Sequence, residues 1–243
     1  MILTEKKKKK RATISIITAT FNAEEHLPRL IKSLRSQTDR DFEWVVTDGA
    51  SNDATLEILN TITDLNIVIS SQPDFGIYDA LNRAIQHSSG EYYIVAGADD
   101  FFESDAIANF RHAAEASDAD IIVANAKYGE RRMKIRSGLA WLYGHIAFIA
   151  SHTLATAFKK DLHQKYGDYS RKFPIAADQL FVMKACEGGA KRYESDFIAG
   201  EIGFGGVSTV DLLGNATEVF RVQLMLGRSR VVQSILLLLR LLK

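Results

Sequence analysis

Cysteine is nearly absent: Cys186 stands alone, which excludes an intramolecular disulfide, gives no support for a zinc cluster and reads most simply as a reducing compartment. Charge of one sign is missing too. The 30 basic and 30 acidic residues cancel, so nothing marks the chain as a nucleic-acid binder. No run of eighteen apolar residues occurs, so no membrane span is expected. The first residues do not form a secretion signal, because KKKKKR (Lys6 to Arg11) leads into ATISIITAT, a stretch with the length and pattern of a strand. Two phosphate-binding patterns are also missing. There is no GxxxxGK[ST] stretch and no GxGxxG after the first strand, which speaks against a P-loop enzyme and a dinucleotide fold. No internal repeat is visible, and low complexity is confined to the lysine run.

What is present is apolar periodicity. The 243 residues suffice for one large α/β domain, or for a small domain plus a shorter one. Thr13 to Thr18 reads as a buried strand, and a helix begins after Asn22, Glu24 and Glu25 with Leu27, Leu30, Ile31 and Leu34 at helical spacing. FEWVVT (42–47) is a second strand with DGASND as its outgoing loop, 54–59 a short helix, and NIVIS (66–70) a third strand. This cadence is βαβ construction, which implies parallel pairing. Pro73 to Gly76 forms a turn, 77–88 a helix, and YYIVA a strand that delivers GADD at its end. Ser104 and Asp105 are expected to cap a helix running to about residue 116, followed by the strand ADIIVANAKY. Beyond Arg131 the pattern weakens: 137–158 is apolar with inserted histidines, and 167–178 is a polar loop entering the helix DQLFVMKACEGG. The tail from Phe220 to Lys243 reads as helical and too apolar around its circumference for a lone solvated helix.

Ligands of open α/β sheets bind outside the carboxyl ends of parallel strands. Thr20 to Asn22, Asp48 to Asp53 and Asp99 to Asp100 therefore belong to one rim. Two readings of the adjacent Asp99 and Asp100 stand. Either they face a Mg2+ or Mn2+ ion shared with a diphosphate, or they belong to a plain polar strand-to-helix connection.

The segments TISIITATFNAEEHLPRLIKSLRSQTDRDFEWVVTDGASNDAT, PDFGIYDALNRAI and GADD together resemble the nucleotide-sugar glycosyltransferases of family 2, which have the GT-A fold, and in particular small bacterial members serving exopolysaccharide, capsule or lipopolysaccharide synthesis. The resemblance is specific across 13–101 and looser to about 210. It implies an α/β GT-A fold with a mostly parallel central sheet and flanking helices. The implied organisation is a basic leader (1–12), a transferase domain (13–210, with 13–101 the nucleotide-sugar half and 102–210 the acceptor half) and a helical tail (211–243).

The same resemblance implies site roles. Asp100 holds the metal, Asp99 meets the ribose or the metal's surroundings, and Asp48 meets the base, with Ser51 in the same loop. Thr20 and Asn22 lie by the nucleotide, and Asp53 orients them from behind. Tyr78 and Asp79 approach the nucleotide-sugar, and Arg83 neighbours the phosphates. Ala98 stands where the family's motif often carries Asp or Asn, which leaves fewer carboxylates for a metal. FPIAADQLFVMKA resembles the block that carries the catalytic base, which assigns that role to Asp178; taken alone, Asp178 reads as a helix cap. SHTLATAFKKDL places His152 in the acceptor segment, against the alternative of a satisfied structural histidine. GFGGVS, with Gly205 and Gly206, resembles the segment closing the site. Trp141, Tyr143 and Phe148 line the acceptor cleft or belong to the core.

The implied activity is inverting transfer of a sugar from a nucleoside diphosphate donor, UDP-linked by resemblance, to a hydroxyl of a glycan or lipid-linked acceptor. Rival readings are a nucleotide-sugar-forming nucleotidyltransferase and a non-catalytic glycan-binding protein. Lys6 to Arg11 and a tail with Arg228, Arg230, Arg240 and Lys243 reaching toward headgroups suggest a cytoplasmic enzyme at the inner-membrane surface. The alternative is a tail packed on its own domain or on a second subunit.

Overall fold

The structure is a computed structural model that describes residues 13–136, 138–204 and 211–242; the basic leader and the pair Gly205 and Gly206 lie outside the described residues. Strands β1 (Ile14–Thr20), β2 (Phe42–Asp48), β3 (Ile67–Ser71) and β4 (Tyr92–Val95) run parallel in the order β3-β2-β1-β4. Helices α1 (Leu27–Arg35), α2 (Thr55–Asn60) and α3 (Ile77–His87) connect them. The sheet continues from β4 through β8 (Thr156–Lys159), β6 (Ile121–Tyr128), β9 (Arg192–Glu201) and β5 (Phe101–Phe102), with β7 (Arg131–Met133) paired to β6. The expected α/β sandwich with a largely parallel sheet is what forms. Its antiparallel pairs are confined to the second half, where β8 opposes β4 and β6, β5 opposes β9, and β7 opposes β6.

Strand side chains alternate faces, so neighbouring residues feed two cores. Ile16, Trp44 and Ile94 pack with Leu27, Leu30, Leu34 and Phe110 on one side. Ile17, Val45 and Tyr93 pack on the other with Leu81 and Ala84 of α3 and with Phe181 of α7 (Ala177–Glu187). Burial on both faces is why these strands read as continuous apolar runs.

Three expectations are corrected. Helix α1 begins at Leu27 and not just after Asn22, because Asn22 takes a left-handed φ of 49°; Pro28 then falls in the first turn, where its missing N–H is harmless. Asp105 stands at the N-cap of α4 (Ala106–Ser117) without a side-chain capping bond. Gln37 of the α1 exit does that work, its Oε1 accepting from Ile107 N at 3.1 Å. The tail is two helices, α8 (Leu212–Met225) and α9 (Arg230–Leu241), parted at Gly227, whose φ of +76° suits glycine.

The tail folds back onto the domain. Gln223 Nε2 donates to Ala140 O at 3.0 Å, Gln233 Nε2 to Trp141 O at 2.7 Å and Arg240 to Leu142 O at 3.2 Å, tying the hairpin to the short helix α5 (Ala140–Tyr143). Arg240 is therefore not free to reach headgroups, and Arg228 is likewise paired with Glu187. Trp141 and Tyr143 stay partly exposed and outside the core, whereas half-buried Phe148 packs against the core on the α7 side.

Gly200 of β9 passes so close to β5 that an added Cβ would fall on the Phe101 carbonyl oxygen. β5 follows directly on Asp99 and Asp100. Gly200→Ala is expected to destabilise the protein by about 1–3 kcal/mol in urea unfolding.

Candidate functional site

The register of the parallel strands builds the rim. Thr20 lies opposite Asp48, so β1 and β2 end level, while β4 ends at Val95 opposite Ile17, three residues short of the end of β1. Asp48 is fully buried. Its carboxylate accepts from Thr20 Oγ1 (3.0 Å), Ser51 Oγ (2.5 Å), Ser51 N (2.9 Å) and Ser71 Oγ (2.8 Å). Burial alone would raise this carboxyl, but the bonds from Ser51, Ser71 and Thr20 outweigh it and hold Asp48 below its ordinary value. Asp48 thus shapes its loop from inside, and a ligand would reach it only by displacing these donors. The neighbouring loops are stapled together. Asn22 N donates to Ser51 Oγ at 2.8 Å, and Asn22 Oδ1 accepts from Asn52 N at 3.0 Å. Asp53 sits behind them, accepting from Glu24 N and Thr55 N at 3.1 and 3.0 Å.

Gly76, at φ +105°, turns the chain into α3. Asp74, in that turn, lies against Gly49 of the β2 loop and pairs with Arg83 at 3.6 Å. The Arg83 guanidinium is buried, and none of its three nitrogens makes a hydrogen bond. Asp79 does not face open space: it pairs with Arg171 of the 167–176 loop. Asn82 grips the same loop through both of its amide atoms, bonding Tyr169 O and Tyr169 N at 2.9 and 3.0 Å.

Beyond β4, the two adjacent carboxylates part company. Asp100 is 1% exposed and accepts from Gly97 N at 2.7 Å and Gly203 N at 2.9 Å. Burial pushes its carboxyl up to about 7, even though the bonds from Gly203 and Gly97 pull the other way. Asp99 is the accessible one. It lines a cavity of about 200 Å³ together with Glu25, His26, Arg29, Gly203 and Phe204. Gly203 is pressed so closely on Asp99 that a side chain there would collide with the carboxylate.

Asp178 occupies the first turn of α7, just past the N-cap residue Ala176, so it does not cap the helix. Tyr78 Oη donates to Asp178 Oδ1 at 2.7 Å, with Ile175 O a second acceptor at 2.8 Å. Burial, and then the Asp178 charge, keep Tyr78 protonated well above its ordinary range. His152 Nδ1 stands 3.8 Å from Asp178 Oδ2. A bridge between Val95 and Thr153 holds this histidine beside the end of β4. His152 and His145 both feel the Asp178 charge, yet burial holds each below its ordinary value and therefore neutral near pH 7. The loop that delivers Asp178 is anchored from the tail: Glu218 of α8 accepts from Ile175 N and Ala176 N at 2.9 and 2.8 Å.

The structure thus gathers Thr20, Asn22, Asp48, Ser51 and Asp53 in one cluster, and Tyr78, His152 and Asp178 in another. Asp99 and Asp100 follow β4 in a third, while Asp79 and Arg83 face loop partners. Sequence reasoning missed Glu218, Asn82, Tyr169 and His145. For Glu218, Asn82 and His145 the one signal was a polar residue inside an apolar stretch, which local pattern alone does not distinguish from surface; Tyr169, in the polar 167–178 loop, gave none.

The sequence profile described as "Glycosyl transferase family 2" matches residues 15–167. A "PGL/p-HBAD biosynthesis glycosyltransferase" of Mycobacterium bovis is 31% identical over 206 residues, spanning 80% of this chain and 78% of that protein. Among solved structures, S. aureus TarS in complex with UDP-GlcNAc superposes with a TM-score of 0.71 at 21% identity, covering 93% of this chain and 70% of the other. The mannosyltransferase PcManGT of Pyrobaculum calidifontis, in complex with GDP-Man and Mn2+, gives 0.66 at 20% identity over 88% of this chain and 63% of that one. Profile and sequence identity agree with the fold, and the chain belongs to glycosyl transferase family 2: it is a glycosyltransferase.

Proposed function

We propose that the chain performs inverting transfer from a nucleoside diphosphate sugar, with UDP-linked donors the first to test, to a hydroxyl of a glycan or lipid-linked acceptor in cell-surface polysaccharide synthesis. The observation that carries this reading is Asp178: a carboxylate at a helix start, held on one oxygen by a phenol and open toward His152 on the other, beside the strand that leads to Asp99 and Asp100. In this reading 13–101 serves the donor and the second half serves the acceptor. Asp178 takes the proton of the acceptor hydroxyl as its oxygen bonds the anomeric carbon, and the carbon–oxygen bond to the diphosphate breaks. The Thr20, Asn22, Asp48 and Ser51 cluster shapes the nucleotide seat, with Asp53 bracing the loops from behind. Tyr78 orients the base, and Asp79 braces the acceptor loop through Arg171. Arg83 offers buried donors without hydrogen-bond partners to a phosphate.

Asp99 and Asp100 suit a hard divalent cation, Mn2+ or Mg2+. Their oxygens are the right donors, and a buried carboxyl that resists ionising is relieved by a positive neighbour. Among the described residues no group of three such ligands occurs, so phosphate oxygens and water would supply the remaining positions. A cation held there supplies charge neutralisation for the departing diphosphate.

For the acceptor side, α9 presents Val231, Ile235, Leu238 and Leu242 as one exposed stripe at helical spacing, with Arg230 exposed at its start. This stripe favours the reading of a face laid on an anionic membrane surface where a lipid-linked acceptor resides. Among the described residues no helix is long and apolar enough to cross a membrane.

Two outcomes are expected. Asp178→Asn retains donor binding by calorimetry and loses transfer by a factor of about 10²–10⁴; a variant that still transfers normally rejects the base assignment. Asp100 gives a pH signature. Its raised carboxyl means that the folded state binds this proton more tightly than the unfolded chain, so the stability it contributes is full below about pH 4 and lost as pH rises through about 7. The wild type minus Asp100→Asn difference in unfolding free energy should fall across that window. Mn2+ added at pH 8 should raise the wild-type melting temperature and leave the variant's unchanged.

A further inference from the structure

Behind Asp178 runs a buried file of side chains that the transfer step, as described, does not use. His152 Nε2 lies 2.9 Å from Tyr169 Oη, Tyr169 Oη 2.9 Å from Tyr93 Oη, and Tyr93 Oη 2.7 Å from His163 Nε2. His163 Nδ1 ends the file 3.2 Å from the Gly167 carbonyl oxygen. The rings are locked by packing. His163 stacks on Phe181 at 4.3 Å between centroids, and Tyr93 on Phe158 at 5.5 Å, so neither can turn over without opening the core.

Counting protons sets the direction of every bond. The Gly167 carbonyl only accepts, so His163 must carry its hydrogen on Nδ1, where the Asp168 carboxylate at 3.9 Å favours it too. Burial pushes His163 down to about 4 and also lowers His152, so each ring is neutral and owns a single N–H. His163 Nε2 is then a lone pair and accepts from Tyr93. The Tyr93 oxygen accepts from Tyr169, and the Tyr169 oxygen accepts from His152 Nε2–H. What remains is a lone pair on His152 Nδ1, facing Asp178 Oδ2 at 3.8 Å. That distance is too long for a hydrogen bond, as two facing lone pairs require.

We propose that the file is a tautomer lock: anchored on the Gly167 carbonyl, it holds His152 as an acceptor at Nδ1, ready to receive a hydrogen bond from Asp178 once that carboxylate has taken the acceptor's proton. His152 is the receiving group; Tyr169, Tyr93 and His163 are positioning residues acting through it. The proton moves from the acceptor oxygen to Asp178 Oδ2, and the new O–H points at His152 Nδ1 as the pair closes. It leaves to water after product release, so the file keeps its proton count and needs no reset. The opposite tautomer would aim an N–H at Asp178, favour its charged form and weaken it as a base. The other groups coupled to this centre, Tyr78 and His145 through the Asp178 charge and Glu218 through Tyr78, lie outside the file and leave its bond directions unchanged.

The inference rests on Asp178 being the base, and the test separates the two. In selectively 15N-labelled wild-type protein, His152 should show a bare Nδ1 and a protonated Nε2, and His163 a protonated Nδ1. Tyr93→Phe removes one hydroxyl without touching Asp178. It frees Tyr169 to donate to His152 Nε2, so His152 should switch to Nδ1–H and transfer kcat should fall roughly tenfold, the worth of one hydrogen bond to a charged group, with donor KM unchanged. Tyr169→Phe should do the same and serves if the first variant does not fold. A wild-type His152 protonated at Nδ1, or a folded Tyr93→Phe protein with unchanged tautomer and kcat, overturns the lock. If Asp178→Asn abolishes transfer while Tyr93→Phe leaves it intact, the lock alone falls; if Asp178→Asn still transfers, the base reading falls, and the lock with it.

Discussion

Buried carboxylates need donors, and the way this fold supplies them sets the shape of the site. A charged carboxylate inside a protein is costly unless it is bonded, and four carboxylates bear on the site: Asp48, Asp100 and Glu218, which are buried, and Asp178, which is partly so. Asp48 takes hydroxyl and backbone donors from the ends of two strands, β1 and β3, and a loop. Asp100 takes two backbone N–H groups, from Gly97 and Gly203. Glu218 takes the N–H groups of Ile175 and Ala176 ahead of α7, and Asp178 takes one phenol. Asp48 and Glu218 are well satisfied and hold loops in place. Asp178 has the fewest partners, and it and Asp100 are the two that the proposed chemistry uses.

That contrast gives the tail a part in the site. Glu218 lies on α8 and bonds the backbone just before Asp178, so the C-terminal hairpin and the Asp178 loop form one packed unit. The same hairpin is fastened through Gln223, Gln233 and Arg240 to carbonyls of α5. Its outward stripe of Val231, Ile235 and Leu238 lies on a helix whose inward contacts hold α5. A contact made on that stripe is therefore mechanically close to Asp178, separated from it by two helices.

The central strands and the helices through α4 were legible because burial on both faces imposes continuous apolar runs and amphipathic helices impose a 3.6-residue repeat. Helix ends were less so. Asp105 looked like a cap, yet Gln37, which is remote in sequence, supplies the bond. The tail looked like one helix because apolar content carries no mark of where a left-handed Gly227 reverses the chain. Of the site, the acids at strand ends were readable from the rule that parallel strands deliver ligands at their carboxyl ends. The file from His152 to His163 was not, since its members come from β4, two loops and a short helix and become neighbours only on folding.

The sequence by itself determined the alternation of strand and helix, the identity of the rim residues and the family resemblance, because these depend on local periodicity and on short contiguous motifs. Tertiary structure alone decided which carboxylate opens to solvent and which is roofed by glycine, which residue caps which helix, and which nitrogen of His152 faces Asp178. Those outcomes depend on hydrogen-bond partners more than 60 residues apart for Tyr93 and Tyr169 and on a glycine 103 residues from Asp100, distances at which no local pattern carries information.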